Sequence, residues 1–518
     1  MMNMKIRLFL GAIAFAATSP VAAQPKGDEP VAVPRTIRQG IDFVYVDPQM
    51  SSVAKRRQRP QNWLQRMLSL DVNGGSRSRN APNPTFVGLA RGLQQYQATW
   101  GRLPQVKIPA GPVLKRGSTG RRVDLLRTRL GLSPGGGYDE QVFQIVTEYQ
   151  GVHGIGPVDG IAGKATIASL NRGATHYARR LAINLERAFR LPRTRTFDRY
   201  VVVDSGAAEV RLFDRDRVAD EMRAVVGSPK TKTPMMAVLM RSAKANPYWN
   251  VPPELIQSLT AKRVKEQGVS YLKNFHYEVL SDWSGRGTLV DPKTVNWKQV
   301  AQGKSGILVR QLPGPWNSMG NMKFEMPNDY GIYLHDTPHK ELFAENNRWL
   351  SNGCVRLEDY RRFATWVFGN VPQPDSPREQ RFELPKPVPV YMTYLTVEAT
   401  PGGVVFRPDP YGLDALAMPQ MFGGPSRIAA ASTAEKEPAW AKAPGGSEAV
   451  RQKHRADQLL VPGDGEAVGH PGDIVADPAQ AGDFAVPALP SFGKAFGALA
   501  EGGGEVGDDA LRLAADRG

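Results

Sequence analysis

At Tyr200 the apolar residues of this chain change period. Upstream they recur at three and four, as in Phe86, Leu89, Leu93, Tyr96 and Trp100, the spacing that one face of a helix requires. Downstream they come in short runs, Tyr200-Val201-Val202-Val203-Asp204 and Glu209-Val210-Arg211-Leu212-Phe213, joined at Ser205-Gly206 and followed by Met222-Arg223-Ala224-Val225-Val226-Gly227. These read as strands. Helices followed by strands predict a multidomain α+β chain, and 518 residues allow two or three domains. A single cysteine, Cys354, rules out a disulfide within the chain, so stability must come from apolar cores.

The ends have their own character. Lys5 and Arg7 precede an apolar stretch at 8–17 and small residues ending Val21-Ala22-Ala23, the pattern of a secretory signal peptide over 1–23. That stretch is about half the roughly 20 residues a spanning helix needs, and no later run matches it. The mature chain is expected to be exported, without a transmembrane segment. Residues 24–50 read as a flexible, Pro-rich segment, 51–110 as a helical scaffold and 173–198 as a connecting helix around Leu181, Leu185 and Phe189. A sheet-based domain is expected over 199–396, with a polar helical cap inserted at about 261–304. From 400 to 518 the chain is rich in Gly, Pro and Ala and reads as a disordered acidic tail.

Charge narrows the partners. The net charge is +16, yet 401–518 carries 10 Lys/Arg against 16 Asp/Glu, so the rest is strongly basic. For an exported protein that field suits an anionic polymer such as cell wall, lipopolysaccharide or a membrane surface. No nucleic-acid motif is present, and export argues against that partner.

The chemistry gathers around the lone thiol. Cys354 stands in Ser351-Asn352-Gly353-Cys354-Val355-Arg356-Leu357, and His335 lies upstream in Ile332-Tyr333-Leu334-His335-Asp336-Thr337-Pro338. A glycine before a cysteine permits close approach of a substrate, and a histidine can take the thiol proton. On an extended strand Tyr333 and His335 share one face while Ile332 and Leu334 share the other. A helix starting near Glu358 would place N–H groups near a thiolate, with Arg356 adding positive charge. Cys354 as nucleophile, His335 as base and backbone N–H groups around Gly353 as oxyanion donors make a site for acyl transfer. His339, four residues on and past a proline, is the rival base.

Two resemblances emerge from these runs. The run Leu114-Lys115-Arg116-Gly117-Ser118-Thr119-Gly120, then Tyr138-Asp139 with Asp139 a plausible N-cap, then Asp159-Gly160-Ile161-Ala162-Gly163-Lys164, resembles the three-helix peptidoglycan-binding-domain-1 module over 111–172; a spacer that binds nothing would look the same. The run from His335 to Pro338 through Ser351 to Arg356 resembles the YkuD-type L,D-transpeptidases. The agreement in Asn246-Pro247, Trp249, Val251-Pro252, Arg310-Gln311, Pro313-Gly314, Asn317 and Gly320 is similar to their large Gram-negative, YcbB-like subgroup. Asn352 departs from the wider family, where histidine is common two residues before the cysteine; the subgroup lacks it too, which leaves His335 as the base.

The resemblance implies a YkuD-type β-sandwich and a periplasmic enzyme that needs no metal or cofactor. It implies a thioester at Cys354 formed on the stem peptide of peptidoglycan, release of D-alanine, and transfer to a second stem to give a 3→3 cross-link. Water as acceptor would make the enzyme an L,D-carboxypeptidase, the amine of an outer-membrane protein would make it an envelope tether, and a wall-binding scaffold without catalysis is the remaining reading. Tyr333, Trp249, Arg310, Asn317, Ser351, Asn352 and Arg356 are the residues expected around substrate, with Trp249 as a cleft wall and Arg310 or Arg356 meeting a carboxylate. A backbone carbonyl is the orienting group implied for His335, and carbapenems the expected acylating inhibitors.

Overall fold

Asn83 and Pro84 start a helix of the computed structural model, which describes residues 43–46, 50, 82–281 and 287–423. The expected signal peptide, residues 51–81 of the helical scaffold and everything past 423 lie outside the described residues. The Asn83 side chain accepts from the Phe86 N–H at 2.9 Å, and Pro84 presets the φ of the first turn. In α1 (Pro84–Ala98) Phe86, Leu89, Leu93 and Tyr96 are buried, and Trp100 is buried just beyond it. The five residues picked out by spacing are one core face.

The helices α2 (Arg121–Arg129), α3 (Glu140–Val152) and α4 (Lys164–Arg172) fall where three short helices were expected. Asp139 caps α3 by accepting from the Val142 N–H at 3.0 Å. Buried Gln150 ties down the following loop, donating to the Ile161 carbonyl at 3.0 Å and accepting from the Gly160 N–H at 2.8 Å. These helices do not close a core alone. They share one with α1, with α5 (Ala174–Phe189) and with a hairpin near the end of the described chain.

Alternation takes over from Arg199. The strands β2 (Arg199–Asp204), β3 (Glu209–Asp214), β4 (Arg217–Gly227), β5 (Met236–Ala245), β9 (Met322–Glu325), β10 (Leu334–His335), β12 (Val355–Leu357) and β13 (Gln380–Thr393) pair in the order β5-β13-β2-β3-β4-β12-β10-β9. The last of these returns to β5 through Ser242↔Glu325 to Ala245↔Met322. The expected sandwich is therefore one sheet whose pairing closes on itself, a step that removes open edges. Val201, Val203, Val210, Leu212, Val238, Phe324, Leu334 and Val355 fill the inside, while Tyr200, Val202, Leu239 and Tyr391 pack on the outside.

The segment between β5 and β9 corrects the expected cap. It runs from Trp249 to Met319, wider than 261–304, and it is not purely helical. The helices α6 (Ala261–Gln267), α7 (Ser270–Asn274) and α8 (Trp297–Ala301) pack on a sheet of β6 (Trp249–Asn250), β8 (Leu308–Gln311) and β7 (Tyr277–Leu280) around a core of their own. Strands of two to four residues are too short to print a period on the sequence.

Two further boundaries move. β1 (Val44–Tyr45), inside the segment read as flexible, pairs parallel to β5, and Val44 joins the barrel core. The chain also stays ordered beyond 400. A hairpin of β14 (Val397–Thr400) and β15 (Gly403–Phe406) packs on α1, and after the barrel helix α9 (Tyr360–Phe368) the last described helix, α10 (Leu413–Phe422), packs on α5. Its composition disguised this segment, because its buried residues, among them Phe406, Tyr411 and Asp414, meet partners distant in sequence. Among the described residues no helix is long and apolar enough to cross a membrane.

Candidate active site

Two short strands bring thiol and imidazole together. β10 and β12 run parallel with Leu334 beside Val355 and His335 beside Arg356, and the Val355 N–H donates to the Tyr333 carbonyl at 2.9 Å. Leu334 and Val355 face the barrel core. Successive strand residues alternate, so Tyr333, His335, Cys354 and Arg356 share the opposite face, and in this register Cys354 and His335 are diagonal neighbours on adjacent strands. Both are fully buried.

The imidazole has a fixed tautomer. His335 Nδ1 lies 2.5 Å from the Asp336 carbonyl oxygen, which can only accept, so Nδ1 carries the hydrogen and Nε2 keeps the lone pair that a base needs. The Asp336 backbone is braced in turn. Its carboxylate accepts from the Asn321 N–H and side-chain amide, each at 2.8 Å, and from Lys340 at 2.7 Å. Gly320, at φ +62°, leaves room for that carboxylate; a Cβ there would sit 2.4 Å from it.

Around the thiol the backbone is clamped. Cys354 Sγ reaches the Gly331 carbonyl at 3.6 Å. The Ser351 hydroxyl donates to the Cys354 carbonyl at 2.5 Å and accepts from the Gly353 N–H at 3.1 Å. That bond occupies the Gly353 N–H, so this group is not the expected oxyanion donor. Gly353 is needed for another reason: its φ is +119°, and a Cβ would come 2.9 Å from Ile332. The expected helix N-terminus does not serve the thiolate either. β12 separates Cys354 from α9, and Asp359 takes the Arg361 and Arg362 N–H groups.

The other expected substrate residues divide. Tyr333 stays with the site, half-buried on its face with Lys323 Nζ 3.8 Å from its ring centre, and Asn352 is half-buried beside the thiol loop. Arg356 is buried next to His335 in register, which favours a structural guanidinium over one presented to substrate. Trp249 is a core residue of the insertion and walls no cleft. Asn317 is also buried, donating to the Leu312 carbonyl at 2.9 Å and accepting from the Met319 N–H at 2.7 Å. Arg310 pairs with Glu278 at 2.7 Å. His339 turns to Glu341 at 3.0 Å, at the head of a short 3-10 turn. Sequence reasoning missed the turn after β4, where Thr231 donates to the Ser351 carbonyl at 2.9 Å and Thr233 to the Gly353 carbonyl at 2.8 Å. Its only visible signal was a cluster of Gly, Pro, Ser and Thr between two strands.

A buried cysteine diagonal to an imidazole of fixed tautomer, on a closed β sheet, is an arrangement chemically able to support thiol-based acyl transfer. Residues 198–390 match the model of the YkuD family, described as the L,D-transpeptidase catalytic domain. A curated Haemophilus influenzae protein named "Putative L,D-transpeptidase" is 29% identical over 248 residues, covering 46% of this chain and 49% of that one, so the match spans about half of each. Among solved structures, an L,D-transpeptidase from Mycobacterium smegmatis is 13% identical, covering 38% of this chain and 58% of its own at a TM-score of 0.20. One from Stackebrandtia nassauensis is 14% identical, covering 55% and 96% at 0.19.

Proposed function

We propose that the chain is an exported, periplasmic enzyme that uses Cys354 and His335 to join peptidoglycan stem peptides by 3→3 cross-links. His335 Nε2 takes the thiol proton and the thiolate attacks the carbonyl carbon on the L-centre of the third stem residue, a diaminopimelate. A C–S bond forms, the C–N bond to the terminal D-alanine breaks, and the proton passes to the leaving amine. The amine of a second diaminopimelate then attacks the thioester, returning its proton through His335 to sulfur. No oxidation or reduction occurs.

The observation that carries this reading is the β10–β12 register, which sets both side chains on one face while the Asp336 carbonyl holds Nε2 ready as the acceptor. The family match supports the substrate class. Mass spectrometry of disaccharide-tetrapeptides incubated with the protein tests it. Dimers lacking one D-alanine, absent with Cys354→Ala, are expected. Tripeptides alone would assign hydrolysis, and unchanged substrate would favour a protein-amine acceptor or a binding role.

A further inference from the structure

Tyr411 lies outside the matched family domain, yet its hydroxyl reaches the turn that holds the thiol loop. Its Oη donates to the Gly227 carbonyl at 2.5 Å and accepts from the Thr233 N–H at 3.4 Å, closing the turn between them. Thr233 Oγ1 accepts from the Gly227 N–H at 2.9 Å and donates to the Gly353 carbonyl at 2.8 Å. In a trans peptide the carbonyl and the next N–H point in opposite directions, so a bond that fixes the Gly353 carbonyl also fixes the direction of the Cys354 N–H. Ser351 fixes the following carbonyl, so the peptides on both sides of the nucleophile are held.

Tyr411 is itself anchored from outside the barrel. Its ring stacks on Tyr394 at 5.0 Å and 10°, and its N–H donates to Tyr394 Oη at 3.0 Å. Tyr394 Oη donates to Asp409 at 2.5 Å. Burial raises the Tyr411 hydroxyl above its ordinary value, so it remains a donor.

We propose that Tyr411 and Thr233 form a positioning relay that sets the Gly353–Cys354 peptide, aiming the Cys354 N–H as an oxyanion donor. This rests on the acyl-transfer reading of the site. Neither residue touches substrate; both act through the peptide that does. Removing an oriented oxyanion donor costs on the order of 10²–10³ in rate, and loosening its support costs less.

The test uses the full chain, three single variants and one double variant. Tyr411→Phe keeps the stacked ring and is expected to lower the acyl-transfer kcat about tenfold with KM unchanged. Thr233→Val, which loses the direct bond to the Gly353 carbonyl, should lower it further, by about thirtyfold, and Thr233→Ser should restore it. Adding Tyr411→Phe to Thr233→Val should cost little more. Alkylation of Cys354 by iodoacetamide forms no oxyanion and should stay near the wild-type rate, while amide exchange should quicken in 227–233 and 351–357 alone. Wild-type transfer in Tyr411→Phe, or transfer, alkylation and unfolding temperature falling together, overturns the relay. If the wild type transfers no acyl group, the functional reading fails and the exchange decides: quickening confined to the two loops upholds the relay as a backbone support, and unchanged exchange removes it.

Discussion

Asp414 Oδ1 and Arg187 Nη1 meet at 2.6 Å, with side chains 4% and 0% exposed, across 227 residues of chain. The second carboxylate oxygen takes Arg180 at 2.9 Å and the Thr396 hydroxyl at 2.5 Å. One carboxylate thus fastens α10 to α5 and to the link between β13 and β14. Asp414→Ala would leave a buried guanidinium without its counter-charge, a loss of about 3–5 kcal/mol. Truncation after residue 400 should cost more, because Val404, Phe406 and Tyr411 leave their cores as well. Urea unfolding of both variants checks this; wild-type stability after truncation would show the segment to be dispensable.

Stability should fall steadily on acidification. Burial raises the Asp414 carboxyl, but Arg187 and Arg180 with the Thr396 hydroxyl outweigh it and hold it below its usual range. A depressed folded value stabilises above the unfolded one, near 4, and the contribution is lost as pH falls through the folded value. His153 acts at higher pH. Burial pushes it down to about 3 against an unfolded value near 6.5; its Nδ1–H donates to the Tyr149 carbonyl and Tyr96 donates to Nε2, which suits the neutral ring. Its stabilisation is complete above about pH 6.5 and declines from there towards 3. Thermal midpoints measured from pH 7 to 4.5 should drop in the wild type and flatten in His153→Gln.

The choice of base is decided by one comparison. His335→Ala should lower acyl transfer by roughly 10²–10⁴, whereas His339→Ala should stay within about twofold of wild type. Rates with purified stem peptides measure this, and a large loss in the His339 variant would move the base to the loop.

Gly320→Ala should slow catalysis through His335. The added methyl meets the Asp336 carboxylate at 2.4 Å, and the φ of +62° disfavours any side chain. Displacing Asp336 shifts the carbonyl that holds His335 Nδ1. We expect about a tenfold lower kcat with little change in KM, since a small misplacement near the reacting groups costs about that much. A normal kcat would show that Asp336 moves without consequence for the base.

The core faces, and the side of the strand that carries His335, were legible because both depend on local period. Phe86 to Trp100 signalled a helix face, and Tyr333/His335 against Ile332/Leu334 signalled which side of a strand faces the core. Partners distant in sequence were not legible. Trp249, Asn317 and Arg310 stood near each other in a motif-like order, yet each is spent on holding the insertion together. Tyr411 and Asp414 sat in a Gly- and Pro-rich context that resembles the composition after it, and only the fold reveals what they touch.

The Asn246 N–H donates to the Asn321 carbonyl at 3.0 Å, one step past the Ala245↔Met322 pair. As far as the barrel is concerned, the insertion is the loop of a hairpin. Its two stems are already paired, so lengthening or exchanging what lies between them changes the closure entropy only slowly. Tyr333 packs against that segment from the thiol's own face. A lineage or a protein engineer could therefore refit the surface over the nucleophile by replacing one contiguous stretch of chain, leaving the register of β9, β10 and β12 undisturbed.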